Sequence, residues 1–249
     1  GRQNRSLLAV MWLAKTCARA PDDDGLEMLS LLVATAMCGE VPGKTLGIDI
    51  QQECAYRLLE RSELVAGLEL LERFAAIQAA SLGEDHPDFA NTLSTMAQCR
   101  HAQGDYDKAL VLLERCADIE ASSLGEAHPD FGRTLYTMAQ CRRNKGEPDA
   151  ALKLLAKCVD VFAASLDEDH PDFTRPLYLM AQCRRDKGEY DVALELLDRC
   201  AVDYASKLGE DHPTYARTLH AMAQCHRSKA NNDEALALLE RCVKSYQSS

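Results

Sequence analysis

Two residue types that ligate metals and attack carbon centres recur along this chain at fixed spacing. Histidine stands before proline at His86, His128, His170 and His212. Cysteine recurs in two columns: Cys99, Cys141, Cys183, Cys225 and Cys116, Cys158, Cys200, Cys242. A structural zinc site needs such ligands clustered at short spacing, and the chain contains no Cys-x-x-Cys pair. A nucleophilic thiol needs an electropositive, accessible setting, whereas these cysteines fall in apolar stripes that raise a thiol's pKa. The histidines are therefore expected to hold linkers by hydrogen bonds, and the cysteines to be small buried groups. Cys38-Gly39-Glu40-Val41-Pro42-Gly43-Lys44-Thr45 has the outline of a phosphate-binding loop. Its glycines are one residue too close together for that motif. The sequence thus supports neither an enzyme nor a cofactor or metal site.

Arginine gives the stronger chemical signal. Positions i, i+3, i+7 and i+10 of one recurring helix share a face opposite its apolar stripe. Along four repeats the first column reads Asn91, Arg133, Arg175, Arg217, and the second Ser94, Tyr136, Tyr178, His220. The third reads Gln98, Gln140, Gln182, Gln224, and the fourth His101, Arg143, Arg185, Arg227. Guanidinium forks suit carboxylates and phosphates, glutamine amides can pair with an extended backbone, and tyrosines offer flat apolar contact. A basic face on an acidic chain selects an anionic partner. The competing reading is that these arginines are solvated or paired with acidic helix neighbours. Arg100, Arg142 and Arg184 flank the face and either add to its field or are tied to Asp and Glu of helix B.

The elements that must position these residues follow a 42-residue cycle, marked also by Met-Ala-Gln-Cys at 96–99, 138–141, 180–183 and 222–225. A fixed period of this length signals stacked supersecondary units that bury one continuous core. In residues 84–125, Pro87 suits the first helical position and Asp88 the positive end of the helix dipole. Phe89, Leu93, Met96, Ala97 and Arg100 share one face, and Gly104 ends the helix, as Gly146 and Gly188 do later. After a turn in which Asp105 is a candidate cap, Ala109, Leu112, Leu113, Cys116 and Ile119 form the stripe of a second helix. Each cycle is predicted to be a hairpin, helix A followed by helix B. Pro176 falls inside helix A of the third cycle, where proline kinks or breaks a helix. The expectation is a late start, at Pro176 itself, which displaces Arg175 and leaves Arg185 as the firmest arginine of the face.

The linker Leu82-Gly83-Glu84-Asp85-His86-Pro87 and the small residues of each hairpin carry a resemblance. Helix A has Ala97, Ala139, Ala181 and Ala223; helix B has Ala109, Ala151, Ala193 and Ala235. Over residues 84–249 the pattern resembles four tetratricopeptide repeats of the 42-residue, kinesin-light-chain-like type. The resemblance implies an all-α right-handed superhelix, an α-solenoid with N-terminal helices, whose concave groove receives peptides along the four columns above. The family's common helix A tyrosine is here Arg100, Arg142, Arg184 and His226. The asparagine ladder of the kinesin-light-chain type is absent from the second column, so that ligand preference does not carry over. Residues 46–83 read as a degenerate repeat, with Ala55 in the Ala97 column and Phe74 in a cysteine column. Residues 1–45 read as a helical segment, a cap or the remnant of a preceding domain. Met28–Leu46 followed by Ala55–Val65 is similar to the winged-helix segment before the repeats of STAND (NB-ARC-TPR) receptors, which implies a ligand-sensing role.

The net charge of −11 argues against bulk attraction to nucleic acid or to an anionic membrane. No run reaches the roughly 20 apolar residues of a spanning helix. The first residues, Gly1–Ala20, have a basic start and an apolar centre but no small-residue cleavage site, and Lys15 and Arg19 continue an amphipathic pattern. An odd total of 11 cysteines, most of them in helix stripes, fits a reducing, cytoplasmic setting. The expected partner is a protein or peptide segment, acidic in character. Nucleic-acid binding along the arginine and tyrosine columns is the rival reading. Self-association is a third, because Ser249 follows the last helix B with no polar capping helix.

Overall fold

The structure, a computed structural model, describes residues 64–165 and 170–248. Nine α-helices and no strand occur among the described residues. They are α1 (Leu64–Leu82), α2 (Pro87–Ala102), α3 (Tyr106–Ser123), α4 (Pro129–Asn144), α5 (Pro148–Ser165), α6 (Thr174–Asp186), α7 (Tyr190–Leu208), α8 (Pro213–Ser228) and α9 (Asn232–Ser248). Helices α2, α4, α6 and α8 are the expected helices A; α3, α5, α7 and α9 are the helices B. Helix α1 covers the residues expected to form helix B of a degenerate repeat. Two compact units, residues 1–119 and 120–249, divide the chain within α3. The N-terminal segment 1–45, the degenerate repeat's helix A, the Cys38–Thr45 loop and nearly all of the winged-helix resemblance lie outside the described residues.

The linker histidines are helix caps. Before each helix A a histidine in extended backbone turns its Nδ1 onto the amide two residues ahead. The bonds run from Asp88 to His86 (3.1 Å), Asp130 to His128 (3.2 Å), Asp172 to His170 (3.2 Å) and Thr214 to His212 (3.1 Å). Each satisfies an amide that no helical carbonyl reaches, while the following proline has no N–H to satisfy. The helix ends are equally regular. Gly104, at φ 80°, donates to His101 O (2.9 Å), and Asp105 donates to Arg100 O (2.9 Å). This pair of hydrogen bonds is a Schellman closure, which needs a left-handed residue. Gly146 and Gly188 repeat it, whereas the fourth hairpin forms the same bonds with Ala230 at φ 62°. Asp105 takes hydrogen bonds from the Lys108 side chain and backbone, which hold its carboxyl below the usual range.

The third helix A corrects the expectation drawn from Pro176. A 3-10 turn at Pro171–Phe173 precedes α6, and the α-helix begins at Thr174, two residues before the proline. Within a first turn the missing N–H leaves no bond unmade, so Pro176 is fully buried without ending the helix. Arg175 is consequently helical, with its side chain 67% exposed.

Small residues hold the hairpins closed. Ala97, Ala139 and Ala181 on helices A, and Ala109, Ala151 and Ala193 on helices B, are fully buried. Gly132 on α4 has no Cβ because the Phe162 ring of α5 lies where one would be, 2.5 Å away. All eight thiols of the two cysteine columns are free and buried. Those of helix B share one device: each donates to the helix A carbonyl 26 residues earlier. The bonds are Cys116 to Ala90 (3.3 Å), Cys158 to Gly132 (3.1 Å), Cys200 to Thr174 (3.8 Å) and Cys242 to Ala216 (3.3 Å). Burial pushes the Cys99, Cys141 and Cys183 thiols up to about 11, and Cys158 and Cys200 to about 12. A thiolate is therefore strongly disfavoured at these positions.

Candidate partner-binding face

In the second unit, α4, α6 and α8 place three members of each column on one run of helices A. The structure brings these residues together, but it does not leave the arginines free. Asp172, in the 3-10 turn before α6, lies 3.2 Å from Arg133 Nε and 3.5 Å from Arg175 Nη1. Asp186, at the end of α6, lies 2.6 Å from Arg143 Nε and 3.3 Å from Arg185 Nη2. Each aspartate thus bridges one arginine of α6 and one of α4. Asp130 adds a second partner for Arg133. Of the two readings open for the arginines, internal pairing holds for these four, including Arg185. Because the pairs are part exposed, each contributes about 0–1 kcal/mol to stability.

The glutamine column is engaged in the same ladder. Arg143 Nη1 donates to Gln182 Oε1 at 2.8 Å, and Arg185 Nη1 donates to Gln224 Oε1. The step is 39 residues both times, so every arginine of α4 and α6 in the fourth column reaches the next helix A. Gln140 Nε2 donates instead to the hydroxyl of Tyr136 at 3.2 Å. Burial raises the pKa of that half-buried phenol. Tyr178 is half-buried on α6, and His220 is exposed on α8.

The flanking column is tied down as well. Arg142 bonds Glu147 at 2.9 Å, and Arg184 bonds Glu189, both acids lying just before the following helix B. In the first unit Arg100 bonds Glu72 of α1 at 3.2 Å. Lysines at the ends of helices A reach back one repeat: Lys187 to Asp149 (2.7 Å) and Lys229 to Asp191. Sequence reasoning by intrahelical spacing missed these ladders because their partners are 38, 39 or 43 residues apart. Reading the acidic columns in register would have found them.

The last helix A differs. The positions of Asp130 and Asp172 are taken by Thr214, and that of Asp186 by Ser228. Arg217 and Arg227 are exposed, and neither forms an ion pair among the described residues. In the first unit the corresponding residues are Asn91, Ser94, Gln98 and His101, all half-buried. His101 stands 5.3 Å from the Tyr106 ring, and burial lowers its pKa. Among the described residues no group of three His, Cys, Asp or Glu is placed to hold a metal, and no helix is long and apolar enough to cross a membrane.

The family model for the tetratricopeptide repeat matches residues 56–122, 130–201 and 173–248. The chain belongs to the tetratricopeptide-repeat family. Its all-α repeat fold is that of the family, whose members are generally non-enzymatic scaffolds that bind protein partners. Among solved structures, it is similar to a kinesin-light-chain candidate from Podosopora anserina with nearly identical TPR-like repeats. That likeness has a TM-score of 0.67 and 27% identity over 80% of this chain and 94% of the other. BtubC (BKLC) of P. vanneervenii gives a TM-score of 0.71 at 14% identity, over 100% of this chain and 92% of its own. Apo RapI gives 0.66 at 10%, over 99% and 98%. The last two show the fold alone. No curated protein sequence matches the chain.

Proposed function

We propose that this tetratricopeptide-repeat chain is a protein–protein interaction module whose helix A face takes an extended, acidic peptide segment. One observation carries the reading. On α4, α6 and α8 the face holds six arginines, four of which share three aspartates, on a chain of net charge −11. A local field opposite in sign to the rest of the protein draws an acidic segment to that face and turns a basic one away. The half-buried Tyr136 and Tyr178 supply apolar contact beside it. Nucleic acid fits less well, because a long polyanion meets the acidic remainder of the chain. The eight buried, free thiols support a reducing, cytoplasmic setting. Within a larger chain such an array would be the sensing part of a receptor, a reading that rests on the resemblance of Met28–Val65.

Fluorescence polarisation tests this with labelled acidic, neutral and basic peptides and single-stranded DNA of matched charge. Acidic peptides are expected to bind selectively, and Arg143→Glu/Arg185→Glu to weaken them at least about ten-fold, about 1.4 kcal/mol. Equal binding of acidic and neutral peptides, or an unaffected double variant that circular dichroism shows folded, would sink the proposal. Tighter binding of DNA with a steep salt dependence would transfer it to nucleic acid.

A second reading, self-association, has its own observation. Leu236, Leu239, Val243 and Tyr246 form an exposed apolar stripe along α9. The counterparts of Leu239 on inner helices B, namely Leu113, Leu155 and Leu197, are fully buried. Such a stripe can be covered by a second copy of the chain.

A further inference from the structure

The inner repeats contain their own carboxylate ligands, and the last repeat has lost them. Asp172 and Asp186 each stand between two arginines, one on α4 and one on α6. One repeat later the same geometry would place a carboxylate between Arg175 and Arg217, and another between Arg185 and Arg227. The residues at those places are Thr214 and Ser228. All the arginines of both forks are retained, and only the acids are missing.

We infer that the two vacant acidic positions on α8 are filled by a ligand. Two carboxylates of an acidic segment there stand in for the aspartates that Thr214 and Ser228 replace. This deepens the reading given above and rests on it: it assigns that segment a location and a charge spacing. The protein's own pairs show what the forks accept. Arg143 engages Asp186 through Nε at 2.6 Å while its Nη1 holds a glutamine carbonyl. A guanidinium can therefore take a carboxylate without abandoning its amide partner, because it has five donors in a fixed fork. Arg217, His220 and Arg227 are exposed, and Arg175 is 67% exposed, so a ligand reaches them without unpacking the core. Arg185, with 22% of its side chain exposed, already spans Asp186 and Gln224 and fixes the inner edge of the second fork.

The spacing follows from helix geometry. Arg217 and Arg227 are ten residues apart on α8. That is roughly 15 Å of rise, within about 80° of the helix circumference. An extended chain advances roughly 3.3 Å per residue. The preferred ligand therefore carries two acidic side chains about five residues apart, lying along α8, with uncharged residues between them near His220 and Gln224. Adjacent acids can satisfy one fork only.

The test uses the 249-residue chain and fluorescein-labelled decapeptides of Gly, Ser and Thr carrying two glutamates at i and i+5, or at i and i+1, or two glutamines. Polarisation is read at low salt, where charge contacts are least screened. The i, i+5 peptide is expected to bind about five-fold or more tighter than the i, i+1 peptide, and the glutamine peptide least. Arg217→Gln and Arg227→Gln should each weaken the i, i+5 peptide about ten-fold and flatten the spacing preference, whereas Lys153→Gln, the same charge change on exposed helix B surface, should change it less than two-fold. Both arginines are exposed, so circular dichroism should show all three variants folded. Tight binding of both acidic peptides that ignores Arg217 and Arg227 overturns the location and leaves the acidic-segment function standing. Failure of every acidic peptide to exceed the glutamine control overturns both.

Discussion

Helices α6 and α8 are one repeat apart, carry arginines at the same two positions, and differ in what faces those arginines. At the two ends of α6, Asp172 of the preceding 3-10 turn and Asp186 neutralise Arg175 and Arg185 and also hold Arg133 and Arg143 of α4. On α8, threonine and serine stand at those places, and Arg217 and Arg227 project uncompensated. The lesson is that a column of identical residues need not be a column of identical function. In the inner repeats arginine links one helix A to the next; at the last it is exposed. The same contrast runs through packing. Leu155 and Leu197 are fully buried, while Leu239, at the equivalent place on α9, is 39% exposed.

The packing contrast gives the largest expected effect. Leu155→Ala removes a side chain with no exposed surface, and such losses cost about 2–5 kcal/mol through lost burial and the cavity left behind. Leu239→Ala should cost less than about 1.5 kcal/mol, since part of that leucine's surface already meets water. Urea unfolding followed by circular dichroism measures both. Equal losses would break the comparison and show that the α9 stripe is covered in solution. If a second copy covers it, the Leu239→Ala loss should then grow with protein concentration.

The charge contrast comes next. Thr214→Asp/Ser228→Asp rebuilds on α8 the acids of the preceding repeat, and should pair Arg217 and Arg227 internally. Affinity for an acidic peptide carrying glutamates at i and i+5 should fall about ten-fold, about 1.4 kcal/mol, measured by fluorescence polarisation. Stability should move by no more than about 1 kcal/mol, because exposed pairs contribute little. Unchanged affinity would mean that the forks of the last repeat are not where acid is read.

Much of this was legible in the residues. The hairpins, the turns and the buried cysteine columns follow from a 42-residue period and helical spacing, both of which are local. The role of the linker histidines was half legible: a hydrogen bond was expected, its acceptor atom and cap geometry were not. Pro176 misled because its composition signal, a breaker inside a helix, does not reveal that a 3-10 turn moves the helix start forward. The arginine pairs were hidden for a different reason. Each partner lies on the next helix A, and no spacing rule within one helix points there. The replacements of Asp172 by Thr214 and of Asp186 by Ser228 were visible in the aligned repeats, but they acquire meaning only once the aspartates are seen bridging two helices.

The smallest effect sharpens the comparison at the helix ends. Helix α6 closes on Gly188 at φ 79°, and α8 closes on Ala230 at φ 62° with the same two backbone bonds. A left-handed residue with a Cβ costs roughly 1–2 kcal/mol relative to glycine, offset in part by glycine's greater freedom in the unfolded chain. Ala230→Gly should therefore stabilise the last hairpin by about 0.5–1 kcal/mol, and Gly188→Ala should destabilise the third by a similar amount. Both are read as opposite shifts of the urea midpoint at constant m-value. Because the backbone at residue 230 leads into α9 and not into the arginine face, Ala230→Gly should leave acidic-peptide affinity unchanged. A change in affinity would mean that the end of α8, Arg227 included, is set by strain at this turn, and the uncompensated charge of the last repeat would then be only part of what distinguishes it from α6.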